Sequence, residues 1–373
     1  MSINQKDNLM KRRQFIIKSG TMGFSGIISC KNHPASTLDV PKKINSLGIA
    51  LVGLGSYSNG QLAPALQKTK HCHLAGIVTG SPEKIPVWKK KYNIKEANVY
   101  NYDNMEDIAI NDDIDVVYIV VPTGLHAKYA IKAANAGKHV WCEKPMAMNV
   151  DECTSIINAC KKNNVSLAIG YRMWHEPNTQ ELISYRDSKP FGNITHIQAE
   201  SCYTGGRPNS WRAIKHLGGG AMYDMGVYAV NGIRYASGLD ITEVVSAKHI
   251  IDRPELFKEV DETTEFTVKL SNGVLANGVT SVGRPGNQLK VSCDTGWYKL
   301  SPMQAYNGVV GERSDGKLLD AFIDSQQAKQ MDDDALAILN GTPLMCPGSE
   351  GRKDIHIING IFKAAETGNS VVL

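Results

Sequence analysis

From Leu47 onward the chain alternates short, wholly apolar runs with amphipathic stretches. Leu47-Gly48-Ile49-Ala50-Leu51-Val52 has no polar position, the pattern of a strand covered on both faces. Residues 73–79 and 116–121 repeat it, and Val99-Tyr100 and Val140-Trp141-Cys142 are shorter versions. Between these runs the pattern predicts helices over residues 61–69, 86–92, 105–110, 126–136 and 150–162. The fourth stops at Gly137, a residue suited to the left-handed conformation that ends helices. Strands and helices in strict alternation with short connections predict a parallel, doubly wound sheet.

Beyond about Ser166 the texture changes to longer strands of alternating character, at residues 195–202, 243–250, 264–270, 274–279 and 288–291. Asn272-Gly273 between two of them is a hairpin turn signal. Helical patterns intervene at 177–186, 219–236, 320–339 and 350–366. The expected architecture is therefore α/β followed by α+β: a Rossmann-type parallel sheet over residues 47–167, then a domain over 168–373 built on a mainly antiparallel, open sheet. An exposed face on that second sheet makes a homodimer or homotetramer the expected assembly.

Composition agrees with a folded chain, since 42% hydrophobic and 21% charged residues leave ample material for a core. The formal net charge of +4 is concentrated at one end. Residues 1–30 hold Lys6, Lys11, Arg12, Arg13 and Lys18 against Asp7 alone, so the remainder is balanced and carries no basic stripe for nucleic acid. The paired arginines before a weakly apolar stretch read as a twin-arginine export signal, and Gly26-Ile27-Ile28-Ser29-Cys30 resembles a lipobox with Cys30 as the lipidated residue. Residues 31–46, with two prolines and little periodicity, read as a tether. The expected location is periplasmic or lipid-anchored. The remaining cysteines have no CxxC pair, and no metal cluster emerges from the scattered histidines.

Gly53-x-Gly55 follows the first strand and precedes a helix, where glycines admit a tight turn and close approach of a pyrophosphate to the helix N-terminus. The third position of the fingerprint holds Ser58. Ser56 and Tyr57 complete the loop. After the second strand, where NAD-selective sites place an acidic residue, the chain reads Thr79-Gly80-Ser81-Pro82-Glu83-Lys84. Ser81 and Lys84 suit a 2′-phosphate through charge-assisted hydrogen bonds, which favours NADP over NAD.

Glu143-Lys144-Pro145 follows the strand at 140–142, so Lys144 should emerge at the carboxyl edge of the sheet, where ligands bind. Further on, Gly218-Gly219-Gly220 precedes a helical stretch in which Asp224 and Tyr228 are one turn apart. Oxidising an alcohol needs a hydride acceptor, a group that takes the hydroxyl proton and a cation that favours the alkoxide. Tyr228, Lys144 and an orienting Asp224 would supply the latter functions. From spacing alone, a capped helix with a packed tyrosine is the favoured reading.

These motifs, with Val121-Pro122-Thr123-Gly124-Leu125-His126, Trp211-Arg212 and residues 347–354, resemble the Gfo/Idh/MocA family. The resemblance covers nearly everything after residue 46 and is strongest for the exported glucose–fructose oxidoreductase branch. It implies an NADP-dependent oxidoreductase acting on a sugar or polyol with a tightly held cofactor. It further implies catalytic roles for Lys144, Asp224 and Tyr228, and a sugar pocket lined by Tyr171, Arg172, Trp211 and Arg212. Pro122, His126 and Glu143 would join the cofactor site. One departure is Thr123, which stands where the family usually has asparagine. Relatives that cleave glycosidic bonds through a transient keto-sugar, and a non-catalytic sugar sensor, are the competing expectations.

Overall fold

The computed structural model describes residues 46–207 and 210–373. The expected export signal at 1–30, Cys30 included, lies outside them, as does the tether apart from Ser46.

Six strands form the first sheet: β1 (Leu47–Val52), β2 (Cys72–Val78), β3 (Val99–Tyr100), β4 (Val116–Ile119), β5 (His139–Cys142) and β6 (Leu167–Ile169). Their order is β3-β2-β1-β4-β5-β6 and every pairing is parallel. All six residues of β1 are buried, which is why the run carries no polar position. Helices α1 (Ala63–Ala65), α2 (Ile85–Tyr92), α3 (His126–Asn135) and α4 (Val150–Lys162) connect the strands. The Asn149 side chain caps α4 by accepting the Glu152 backbone N–H at 2.9 Å, and the Glu152 carboxylate reaches back to the Met148 N–H at 3.0 Å.

The second sheet has nine strands. They are β7 (Ile194–Thr204), β8 (Ile241–Ile250), β9 (Thr263–Leu270), β10 (Leu275–Ser281), β11 (Gly283–Cys293), β12 (Trp297–Leu300), β13 (Gly311–Arg313), β14 (Leu318–Leu319) and β15 (Val371–Val372). The order β14-β13-β12-β11-β7-β10-β9-β8-β15 is antiparallel except where β7 lies parallel to β10. Burial alternates along β9, the mark of a sheet covered on one face. The cover comes from α5 (Pro177–Ser188), α6 (Val227–Ser237) and α8 (Gly348–Thr367).

Three expectations need correction. The helix expected at 61–69 begins earlier, at Ser56, and contains a π-helical turn, Ser58–Leu62. The one expected at 219–236 starts with a second π-helical turn, Met222–Gly226, before α6 takes over. The boundary at 167/168 falls inside β6, whose three residues were too few to register as a strand in the sequence. The separation itself is also incomplete. Helix α7 (Gln326–Asn340) belongs to the C-terminal half, yet Ala328, Met331 and Ala335 pack with Leu62, Ile77, Trp88 and Trp141 in the core of the first sheet. Of the cysteines, Cys293 is half-buried and the other six described are buried; all seven are free thiols.

Candidate functional site

A cavity of about 1100 Å³ lies between the carboxyl edge of the parallel sheet and the second sheet. Its floor is the loop after β1. Gly53 has φ +95°, and a Cβ there would meet the Val120 carbonyl oxygen at 2.6 Å, so only glycine lets the loop sit against the neighbouring strand end. Ser58, at the third fingerprint position, is buried and donates its hydroxyl to the Gly53 carbonyl at 2.5 Å, which ties the loop to the helix it opens. At Gly55 a Cβ would meet nothing within 4 Å, so the cradle is open towards the cavity. Ser56 and Tyr57 line it as well.

Thr79, just past β2, is buried and accepts the Ser81 backbone N–H at 3.0 Å; Lys84 reaches back to the Leu54 carbonyl at 3.1 Å. The three side chains edge the same cavity, with an ammonium and two hydroxyls and no carboxylate among them. Such a donor set fits a phosphorylated ribose. The glycine cradle, the helix N-terminus and this edge together fit a dinucleotide phosphate, and the cavity is large enough to hold a small carbohydrate beside it.

Glu143 and Lys144 emerge from β5 as expected. The Lys144 ammonium donates to the Asp224 backbone carbonyl at 2.8 Å and stands 4.6 Å from the centroid of the Tyr228 ring. Two residues from different sheets' elements, 84 positions apart in sequence, thus share one spot on the cavity wall. Glu143 is buried beneath them, its oxygens taking the Tyr118 hydroxyl at 2.7 Å and the Lys144 N–H at 3.2 Å. Burial pushes its carboxyl up, and the Lys144 charge pulls it back.

Asp224 and Tyr228 both line the cavity, but the Asp224 carboxylate is already engaged. Its Oδ2 accepts the Tyr203 hydroxyl at 2.9 Å and Arg212 Nε at 2.9 Å. Asp224 therefore holds two wall residues in place. Arg212 in turn lies 4.5 Å over the Trp211 ring.

Arg172 is 2% exposed and still lines the cavity, with its guanidinium 5.4 Å from the Tyr228 centroid and 4.8 Å from that of Tyr306. It donates to the Ala305 carbonyl at 2.9 Å, and also to the Gln304 carbonyl and the Gln326 side chain. Burial would lower its affinity for the proton, but the surrounding phenols of Tyr228, Tyr57 and Tyr306 hold it higher. Arg172 so fastens the 301–310 loop, and with it Tyr306, over the cavity mouth.

Two expected site residues are placed differently. Tyr171 is 2% exposed and does not line the cavity; it lies in the core towards Asp354, and burial first, then that carboxylate, push its phenol up. The alternation of side chains past β6 turns Arg172 to the cavity and its neighbour away. His126 reaches the wall, but its Nδ1 lies 2.9 Å from the Pro145 carbonyl and its Nε2 2.8 Å from that of Val121. It braces the loops after β4 and β5 against each other, and burial pushes it down to about 4. Pro122 and Thr123 line the same stretch.

Sequence reasoning missed Tyr203 and Tyr306. Tyr203 had a signal, a position near the end of a long strand just before Gly205-Gly206. Tyr306 had none, since it sits in an irregular loop whose place is set by Arg172.

Comparison with known proteins agrees with this geometry. Residues 47–171 match the model of the GFO_IDH_MocA oxidoreductase family with an NAD-binding Rossmann fold, and 179–299 match the GFO/IDH/MocA C-terminal domain. The structure resembles aldose-aldose oxidoreductase from Caulobacter crescentus in complex with glycerol, with TM-score 0.85 and 33% identity over 88% of this chain and 100% of that one. D-xylose 1-dehydrogenase [NADP(+)] of Haloarcula marismortui is 28% identical over 88% of this chain and 94% of its own length. A mutant 3-ketoreductase from Actinomadura kijaniata, solved with NADP, shares the fold at 19% identity and TM-score 0.76 over 86% of this chain and 98% of that one. With two family models spanning most of the chain and a 33%-identical structure matched over its full length, this protein belongs to the Gfo/Idh/MocA oxidoreductase family.

Proposed function

We propose that this protein is an NADP-dependent oxidoreductase that moves a hydride to or from a hydroxyl-bearing carbon of a sugar or polyol. The observation that carries the reading is the meeting of the Lys144 ammonium and the Tyr228 ring, 4.6 Å apart, on the wall of a cavity with a glycine cradle at its floor. The aldose-aldose oxidoreductase and the D-xylose 1-dehydrogenase [NADP(+)] named above support that substrate class.

Bound NADP supplies the hydride acceptor or donor at the nicotinamide ring. The chain supplies the rest. Gly53, Gly55, Ser56 and Tyr57 seat the pyrophosphate, and Thr79, Ser81 and Lys84 recognise the phosphorylated ribose. Lys144 binds the reacting oxygen and stabilises negative charge on it. Tyr228 takes the hydroxyl proton during oxidation and returns it during reduction. Arg172, 5.4 Å from the centroid of the same ring, keeps a second positive charge near that phenol. Tyr203 and Arg212, fixed by Asp224, face the substrate together with Trp211, over whose ring Arg212 lies. Tyr57 and Tyr306, with ring centroids 6.0 Å apart, approach each other from the two halves of the chain and support a cofactor held through successive turnovers. The basic segment with Arg12-Arg13 supports placing the activity outside the cytoplasm, where a retained cofactor is reset by a second substrate, and the face of the second sheet opposite its helices supports a homo-oligomer.

Single substitutions test this directly. Tyr228→Phe and Lys144→Met should each lower kcat by about 10²- to 10⁴-fold on an aldose screen, while NADP binding, followed by equilibrium dialysis, stays intact. Unchanged turnover in both variants would rule out the assigned chemistry, and a wild-type protein that binds an aldose without turning it over would be a sugar-binding protein.

A further inference from the structure

Behind Glu143, away from the cavity, a line of polar side chains runs into the apolar core beneath α7. The Tyr118 hydroxyl donates to Glu143 Oε1 at 2.7 Å, and Gln330 Nε2 donates to the Tyr118 oxygen at 3.3 Å. One helical turn further along α7 stands Asp334, four residues on and so on the same helix face as Gln330. Both Gln330 and Asp334 are 1% exposed. Three atoms here have no hydrogen-bond partner among the described residues: Gln330 Oε1 and both oxygens of Asp334. The fold makes room for the first link with Gly170, where a Cβ would lie 2.7 Å from Glu143 Oε1 and 3.0 Å from the Tyr118 oxygen.

The three orphaned atoms are all acceptors so long as Asp334 is ionised, and two acceptors cannot satisfy each other. An ionised carboxylate so buried, with no partner for either oxygen among the described residues and no cation facing it, would be a very costly arrangement. A proton on Asp334 resolves the count, because the acid hydroxyl then has Gln330 Oε1 as its acceptor. Once Gln330 accepts through its oxygen, its amide must point at Tyr118. Tyr118, receiving that donor, must send its own proton on to Glu143.

We propose that Asp334 is a buried neutral carboxylic acid that fixes the direction of a hydrogen-bond chain, Asp334 to Gln330 to Tyr118 to Glu143, and so keeps the Glu143 carboxylate ionised beside Lys144. Asp334, Gln330 and Tyr118 are positioning residues that act through Glu143. The groups facing Asp334 are Asp333 on its own helix, Cys72 on β2 and Cys346 ahead of α8, none of them cationic. Those facing Glu143 are Lys144, Arg172, Tyr57, Tyr118, Cys142 and Tyr306, two of them cationic. The chain thus joins a site that repels a carboxylate charge to one that welcomes it.

The inference rests on the proposed function only for its effect on the cavity, so two independent measurements separate them. The first is the infrared difference spectrum between the wild-type protein and Asp334→Asn near neutral pH. A carbonyl stretch of a protonated carboxylic acid, lost in the variant, is expected; its absence would show Asp334 ionised and overturn the proposal. The second is the pH dependence of NADP binding by equilibrium dialysis. Removing the donor to Glu143 disfavours its ionised form, so Tyr118→Phe should move the acid limb up by about half a pH unit or more, and Gln330→Leu, which keeps that donor and only loosens its orientation, should move it up by less. Asp334→Asn, whose amide can still donate to Gln330 Oε1, should keep the wild-type limb, and Glu143→Gln should abolish it. An acid limb unmoved in Tyr118→Phe, with NADP still bound, would sink the chain. A protein that binds no NADP at any pH would overturn the reading of the cavity instead, while the infrared result would still decide the state of Asp334.

Discussion

His126 shows how a residue taken for a ligand becomes a brace once both ring nitrogens face backbone carbonyls. Burial holds it near 4 in the fold, against roughly 6.5 for an unfolded histidine. Between those values the unfolded chain binds a proton that the native one does not, so stability falls as pH drops through the window. The loss is on the order of 3 kcal/mol if fully expressed. Thermal melts at pH 7 and pH 4.5 should show it, and the difference should shrink in His126→Gln. An equal loss in both proteins would mean that other groups govern the acid limb. The same logic explains the sequence-level choice at Thr79. A hydroxyl there is satisfied by the Ser81 N–H and carries no charge to repel a phosphate. Lys144, Asp224 and Tyr228 were legible as chemistry-bearing residues because each sits at a strand end or in a glycine-led helix start. The division of labour among them was not, because Asp224 uses its side chain on Arg212 and Tyr203 and only its carbonyl on Lys144.

At the scale of elements, the π-helical turn Ser58–Leu62 directly follows Ser56 and Tyr57 of the cavity lining, and the other, Met222–Gly226, gives the cavity Asp224 and Met225. Such turns insert an extra residue into a helix and often mark functional sites. No periodicity in the sequence announces them, because one displaced residue barely disturbs an apolar stripe. The loop before the first of them is more predictable. Gly53→Ala would force a left-handed conformation and place a methyl 2.6 Å from the Val120 carbonyl. A destabilisation of roughly 1–3 kcal/mol is expected, with NADP affinity falling further than stability alone accounts for. Urea melts and dialysis on the same preparation would check both; a variant that binds normally would show that the cradle adapts. Strands read well where the apolar run was long, as in β1, and poorly where it was short. β6, β12, β13, β14 and β15 have two to four residues each and owe their existence to a neighbouring strand already in place.

On the scale of the whole molecule, the parallel sheet depends on the far end of the chain. Met331 and Ala335 of α7 are fully buried against Leu62, Ile77 and Trp141, and α8 packs on both α4 and β8. A fragment ending near residue 171 would bare that apolar surface. It should fail to give a cooperative melt and should aggregate, whereas residues 46–373 should fold in one transition. A fragment with a sharp melt and a dispersed NMR spectrum would show that α7 is dispensable. The same return of the chain builds the site: Tyr306 and Gln326 come from this late segment and secure Arg172.

By itself the sequence determined the kind of each layer. Apolar runs specify buried strands, glycines specify the cradle, and an uncharged Thr79 directly after β2 specifies which nucleotide it suits, because these are local facts of sterics and charge. Only the tertiary structure decided which side chains meet. Whether Tyr171 or Arg172 faces the cavity, whether Asp224 is free or engaged, and what lies behind Glu143 all depend on the angle at which distant segments pack. Packing is a property of pairs of surfaces, and no pattern confined to one stretch of chain encodes it.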